Sequence, residues 1–248
     1  MADGQRGDLV RSYLDGAIGR RVFVKGLIAS GITLAGAVAY ADVLAPRTAR
    51  AATRRASARG FDRFGILPNG FYNFYVGVTD DQFGPRDVTV LRRGDSVSWG
   101  FVGSEDHSVT ESSGLDYFDS GYAPPVRIEY SMVFPAAGSF PYHCKDPNHA
   151  DSMTGVVHVK VGRAPANGPL GTTFTILWAQ KRADPGYVFD VQMKHGAGPF
   201  TSFRKGVKGF QAHITPNARG QYFFRGRVRN AATGLSSKFS PPSSISVF

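Results

Sequence analysis

Residues 138–161 read Gly-Ser-Phe-Pro-Tyr-His-Cys-Lys-Asp-Pro-Asn-His-Ala-Asp-Ser-Met-Thr-Gly-Val-Val-His-Val-Lys-Val and hold the only cysteine of the 248-residue chain. Cys144, His149 and Met153 bring a thiol, an imidazole and a thioether within ten residues. Sulfur ligands favour soft or borderline metal ions, and a thiolate with two imidazoles and a weak axial thioether is a ligand set for a mononuclear copper ion. A second imidazole must then come from another part of the chain. Each residue alone would carry little weight, since a single buried cysteine or methionine is ordinarily a small or adaptable hydrophobe.

Positioning such a set requires rigid elements on both sides of the loop. Phe140, Tyr142 and Cys144 alternate as residues on one face of a strand do, and Val157, Val159 and Val161 repeat the pattern after Gly155. Further strands are expected at Phe71–Val78, at Asp87–Leu91 and at Ser96–Phe101, where Val97, Trp99 and Phe101 share a face. The turn Arg92-Arg93-Gly94-Asp95 separates the last two. Ile128, Tyr130, Met132 and Phe134 alternate ahead of the turn at Pro135–Gly138. Thirty glycines and fifteen prolines, with few helix-period patterns after residue 60, point to an all-β chain. The composition, 42% hydrophobic and 12% aromatic, is that of a packed globular protein, and one cysteine permits no internal disulfide.

Val88-Thr89-Val90, Gly94–Trp99, Asp106-His107-Ser108-Val109, Phe118–Gly121, Phe134–Phe140 and Tyr142-His143-Cys144 together resemble a plastocyanin-like or azurin-like cupredoxin over residues 70–162. The resemblance implies a Greek-key β-sandwich with one type 1 copper held by His107, Cys144, His149 and Met153. It also implies a one-electron relay between Cu(I) and Cu(II), with His149 as the electron port to a redox protein partner. Ser108 is expected to help orient His107 and to hydrogen-bond the thiolate. Glu105, Asp106, Asp146 and Asp151 lie near the ligands in sequence and would give the port an acidic rim. The Cys-x4-His-x3-Met loop is closer to azurin spacing than to the shorter plastocyanin loop.

His143 beside the cysteine raises the question of a second copper. Multicopper oxidases and copper nitrite reductases place a histidine there, but a second centre needs further histidines, commonly in H-x-H pairs. The six histidines here are His107, His143, His149, His158, His195 and His213, and no two form such a pair. His143 and His158 read as strand-face residues and the chain as an electron carrier, not an enzyme. A copper carrier or a cell-envelope adhesion protein would need no dedicated redox partner and is the alternative.

Residues 163–171 read as a linker. Beyond it, over 172–248, Phe174, Ile176 and Trp178 share one face and Tyr187, Phe189, Val191 and Met193 another. With Tyr222–Asn230, Gly234-Leu235-Ser236 and Phe239–Pro242 they resemble a fibronectin type III domain, Trp178 as its core tryptophan and Tyr222 as its corner tyrosine. The net charge of +10 is uneven. Residues 64–163 carry 7 basic against 12 acidic residues, and 164–248 carry 11 against 2. Arg225, Arg227 and Arg229 alternate along one strand as a basic patch suited to an anionic cell-envelope polymer. No nucleic-acid-binding motif accompanies it.

Residues 1–51 resemble a twin-arginine signal peptide. Arg20-Arg21-Val22-Phe23-Val24-Lys25 precedes an apolar run diluted by Gly and Ser, and Ala49-Arg50-Ala51 offers a cleavage site. Export to the periplasm, envelope or exterior follows, with residues 52–69 as a basic tether. The run is short for a bilayer core that needs ~20 apolar residues, so membrane attachment after cleavage is not expected.

Overall fold

The computed structural model describes residues 65–66, 71–90, 92–123, 129–149 and 151–248, with Ser12, Val22, Lys25 and Gly26 as isolated helical positions. The expected signal peptide and most of the tether lie outside the described residues. Every element with defined bounds is a strand. The first nine are β1 (Gly65–Ile66), β2 (Tyr72–Val78), β3 (Phe83–Gly84), β4 (Asp87–Val90), β5 (Ser96–Phe101), β6 (Thr110–Glu111), β7 (Tyr130–Val133), β8 (Gly138–His143) and β9 (Thr154–Val159). One sheet has the order β1-β2-β5-β7, with β3 paired to β2, and the other the order β4-β9-β8-β6. No helix among the described residues is long and apolar enough to cross a membrane.

The inward faces meet around Trp99. Its indole stands 5.4 Å from the Tyr142 ring, edge to face, and 5.7 Å from Phe118, with Phe134 at 6.4 Å. These rings, with Phe74, Phe83 and Phe140, are fully or almost fully buried, and large buried rings of this kind contribute heavily to holding two sheets together. The turn after β4 is closed by Asp95, whose buried carboxylate accepts the N–H of Arg92 at 2.7 Å and that of Tyr72 at 2.9 Å. Gly94 takes a φ of 99° there, a conformation open to glycine at little cost.

Two features of this frame place the loops at one end. β2 and β5 run parallel with Val78 opposite Phe101, so the segments leaving both strands emerge side by side. β8 and β9 are antiparallel, His143 opposite Thr154, so the loop joining them closes just beyond Cys144, where the Cys144 N–H bonds the Met153 carbonyl at 3.1 Å.

The remaining strands are β10 (Gly162–Ala164), β11 (Asn167–Gly168), β12 (Phe174–Leu177), β13 (Tyr187–His195), β14 (Thr201–Val207), β15 (Gln211–Ile214), β16 (Gly220–Asn230) and β17 (Ser243–Val247). They form a three-stranded sheet β10-β12-β15 and a five-stranded sheet β11-β17-β16-β13-β14. The stretch read as a linker is therefore partly strand: β10 pairs with β12, and β11 runs parallel to β17 in the opposite sheet. Trp178 and Tyr222 are buried, and the Tyr222 hydroxyl donates to the Ala218 carbonyl at 3.0 Å.

The two halves are joined by more than a covalent link. The Ala137 N–H donates to the Trp178 carbonyl and the Gln180 N–H to the Pro135 carbonyl, both at 2.7 Å. Ser139 and Lys238 exchange both backbone hydrogen bonds, and the Ser139 hydroxyl reaches the Phe239 carbonyl at 3.0 Å. Gly226 lies where a Cβ would meet Ala137 at 3.3 Å and Val161 at 3.4 Å. One buried apolar cluster runs through both units.

Candidate metal centre

The chain geometry gathers the expected ligands. His107, Cys144 and His149 place their ligand atoms within 4.8 Å of one another. Met153 is fully buried at the end of the same loop, its N–H donating to the His149 carbonyl at 2.8 Å. Cys144 reaches the interior because it continues the inward face of Phe140 and Tyr142 on β8. His107 is fixed by a two-way backbone bridge to Ala123, at 3.1 and 2.7 Å.

Both imidazoles are oriented by carboxylates. Nε2 of His107 lies 3.1 Å from Asp80 Oδ1, and Nε2 of His149 lies 2.9 Å from Glu105 Oε2. A neutral imidazole carries one N–H and one lone pair. With Nε2–H donated to a carboxylate, Nδ1 presents the lone pair, which is how second partners fix the tautomer of metal-binding histidines. Nδ1 of His149 is buried with no hydrogen-bond partner among the described residues. Nδ1 of His107 faces the Cys144 sulfur at 3.9 Å.

These positions fit a metal ion. Bonds of ~2.0 Å to nitrogen and ~2.3 Å to sulfur span at most ~4.3 Å end to end, so an ion fits between atoms 3.9 Å apart. The two ring centroids are 5.0 Å apart. An unpaired buried nitrogen ordinarily costs ~1–3 kcal/mol, and a bound ion would relieve it. One thiolate, two imidazoles and a buried thioether match the donor set of a type 1 copper site.

Asp80 itself is held by the loop before His107. It accepts the Ser104 N–H at 2.7 Å, the Ser104 hydroxyl at 2.8 Å and the Glu105 N–H at 3.0 Å. Burial alone would raise this carboxyl, but the hydrogen bonds from His107, Ser104 and Glu105 outweigh it and keep it below the usual aspartate value. A Cβ on Gly103 would collide with the Asp80 carboxylate, so this approach requires glycine.

Ser108 plays one of its two expected parts. Its backbone N–H donates to the Cys144 sulfur at 3.4 Å. Its hydroxyl accepts the Lys145 N–H at 2.8 Å and meets Thr110 at 3.1 Å, tying the cysteine segment to the histidine segment while Asp80 orients the His107 ring. Lys145 is anchored in turn by Asp119 at 2.7 Å.

At the surface, the His149 side chain is 14% exposed and Glu105 is 58% exposed above it. Asp106 and Asp151 are exposed nearby in sequence. The ring of His149 is therefore covered by a carboxylate. His143 lies on β8 opposite Thr110, and His158 bonds the Ser139 hydroxyl at 2.8 Å; neither joins the ligand cluster. In the second unit, Arg227 and Arg229 share the Asp190 carboxylate, at 3.1 and 2.8 Å, while Arg225 is held by the neutral amide of Gln192.

No protein-family model matches the chain, and no curated protein matches it. Among solved structures it is similar to amicyanins. A reduced Cu(I) form of an amicyanin mutant at pH 4 shares 24% identity over 34% of this chain and 79% of that one, with a TM-score of 0.30. The reduced state of another amicyanin mutant shares 22% over 41% and 94%, also at 0.30. Amicyanin from Paracoccus versutus shares 25% over 34% and 78%, at 0.28.

Proposed function

We propose that this chain is an exported copper electron-transfer protein, a cupredoxin unit joined to a fibronectin type III-like unit. The observation that carries the copper assignment is the buried, unpartnered Nδ1 of His149 beside a buried thiol and the Nδ1 of His107. Copper bound there would supply a one-electron couple between Cu(II) and Cu(I). The residues of the chain hold the ligand atoms in place before and after the electron moves. Asp80 and Glu105 fix both imidazoles, the Ser108 N–H supports the thiolate, and the backbone bond from Cys144 to Met153 closes the loop. Such pre-organisation keeps the structural cost of a change in charge small.

The electron would pass through His149, the ligand nearest the surface, to a partner protein with a cationic docking face that complements Glu105 and the neighbouring aspartates. The fibronectin type III-like reading of the second unit is supported by its two sheets, by buried Trp178 and by the Tyr222–Ala218 hydrogen bond. Export by a twin-arginine signal is supported by the sequence of residues 19–51.

Protein-film voltammetry of the copper-loaded chain tests the function. A reversible one-electron wave with fast interfacial kinetics is expected. A copper-loaded protein with no reversible wave would leave only carriage or a structural metal.

A further inference from the structure

Three segments that are remote in sequence meet beside Cys144, and their hydrogen bonds end on Asp119. The Lys145 N–H donates to the Ser108 hydroxyl oxygen at 2.8 Å, that hydroxyl lies 3.1 Å from the Thr110 hydroxyl, and Thr110 donates to Asp119 Oδ1 at 3.0 Å. Asp119 Oδ2 closes a ring by accepting Lys145 Nζ at 2.7 Å. The ring therefore begins and ends on the residue directly after the cysteine.

The two ends of the chain fix the direction of every bond in it. A peptide N–H can only donate, and an ionised carboxylate can only accept. Thr110 gives its one proton to Asp119, so it accepts at the 3.1 Å contact and the Ser108 hydroxyl donates. The Ser108 proton thus points to Thr110, and its oxygen is left to receive the Lys145 N–H. Ser108 is fully buried, so its hydroxyl has no solvent to turn to, and bonds aligned in one direction polarise one another.

Asp119 is itself held. Oδ1 also accepts the Gly121 N–H at 2.8 Å, in a turn where Gly121 takes a φ of 64°. Burial would raise its carboxyl, but the hydrogen bonds from Lys145, Gly121 and Thr110 outweigh it and keep it below the usual aspartate value. Backbone bonds from Glu111 to Phe118 at 2.9 Å and from Ser120 to Val109 at 3.0 Å hold the segment of Thr110 against that of Asp119.

Ser108 grips the cysteine segment at two points, its N–H on the Cys144 sulfur and its hydroxyl oxygen under the Lys145 N–H. Fixing the second fixes the first, and hydrogen bonding at the cysteine sulfur tunes the potential of a copper–thiolate site. We infer, on the copper reading of the site, that Asp119 is a positioning residue. Through Thr110 it orients the Ser108 hydroxyl, and so sets the hydrogen bond on the Cys144 sulfur and with it the reduction potential.

The test has two arms on the full chain. In the metal-free protein, amide hydrogen exchange at Lys145 should be about tenfold faster in Thr110→Val than in wild type, and restored in Thr110→Ser, which returns the hydroxyl. In the copper-loaded protein, the reduction potential should fall in Thr110→Val and in Asp119→Ala, as the bond to the sulfur loosens, and return to the wild-type value in Thr110→Ser. Thr110→Val keeps the shape of the side chain and decides the matter alone if Asp119→Ala disturbs the turn at Gly121. Wild-type exchange at Lys145 in Thr110→Val would overturn the inference. So would faster exchange beside an unchanged or raised potential, which would make the chain a structural tie only. A wild type with no reversible copper couple would overturn the copper reading and this role with it, a failure told apart because the exchange difference in the metal-free protein would persist.

Discussion

Glu105 Oε2 lies 2.9 Å from Nε2 of His149, so the histidine that would pass the electron outward is covered by a negative charge. A carboxylate hydrogen-bonded to a metal-bound imidazole stabilises the more positive metal state and lowers the reduction potential. Glu105→Gln keeps a hydrogen-bond acceptor and removes the charge. Its potential should rise by some tens of millivolts, since the carboxylate is more than half exposed and largely screened. Reduction by a cationic partner should also become less sensitive to salt. An unchanged potential would mean that the pair does not form in solution.

Asp80 is the more deeply built of the two supports. Asp80→Ala leaves Nε2 of fully buried His107 without its partner, a loss of about 1–3 kcal/mol, and should weaken copper binding by about 10–100-fold. Gly103→Ala should reproduce part of this from a residue that touches neither ligand, because its Cβ would push the Asp80 carboxylate aside. Competition titration with a copper chelator measures both. Wild-type affinity in Gly103→Ala would show that Asp80 can retreat freely.

Cys144, His149, Met153 and the strands around them were legible because side-chain alternation and spacing are local properties, whereas His107, 37 residues upstream of Cys144, was expected only from the cupredoxin resemblance. Phe140, Tyr142 and Cys144 share a face whatever the rest of the chain does. Asp80 was not legible. Its role depends on the parallel pairing of β2 with β5, Val78 opposite Phe101, which brings two loops together across 27 residues. An acid two residues beyond the end of β2, at Asp80, was the only local signal, and it has no meaning without that register. The residues read as a linker were misjudged for a similar reason, since β10 and β11 are two or three residues long and exist only through distant partners. The basic strand was read correctly as alternating, but that two of its three arginines share one carboxylate was not legible, because Asp190 lies opposite Arg227 on another strand.

The shared contacts between the units predict that they melt together. Ser139, His158 and Phe239 form one hydrogen-bonded link between them, and Gly226 fits against Ala137 and Val161. Calorimetry should show a single transition in the apoprotein. Gly226→Val, which needs space that is not there, should split it or lower it by about 1–3 kcal/mol of stability. Two separate transitions in wild type would contradict this coupling.

Asp190 gives a pH dependence of definite sign. Burial would raise its carboxyl, but the hydrogen bond from Arg229, with those from Gly206 and Arg227, holds it below the ordinary value of 3.8. The unfolded chain therefore binds the proton first as pH falls, and the stabilisation is lost through the native value. Asp190→Asn should cost about 2 kcal/mol at neutral pH. The gap in melting temperature between wild type and variant should hold from pH 7 down to about 5 and close below that. A gap that stays constant to pH 2 would show that the carboxylate charge is not what stabilises the pair.

The central claim is that His107, Cys144, His149 and Met153 bind one copper as a type 1 site. The visible and paramagnetic spectrum of the copper-loaded protein tests it most directly. An intense thiolate-to-copper band is predicted, absent in Cys144→Ser and retained with a shifted potential in Met153→Leu. A wild-type protein that takes up copper and stays colourless would contradict the assignment.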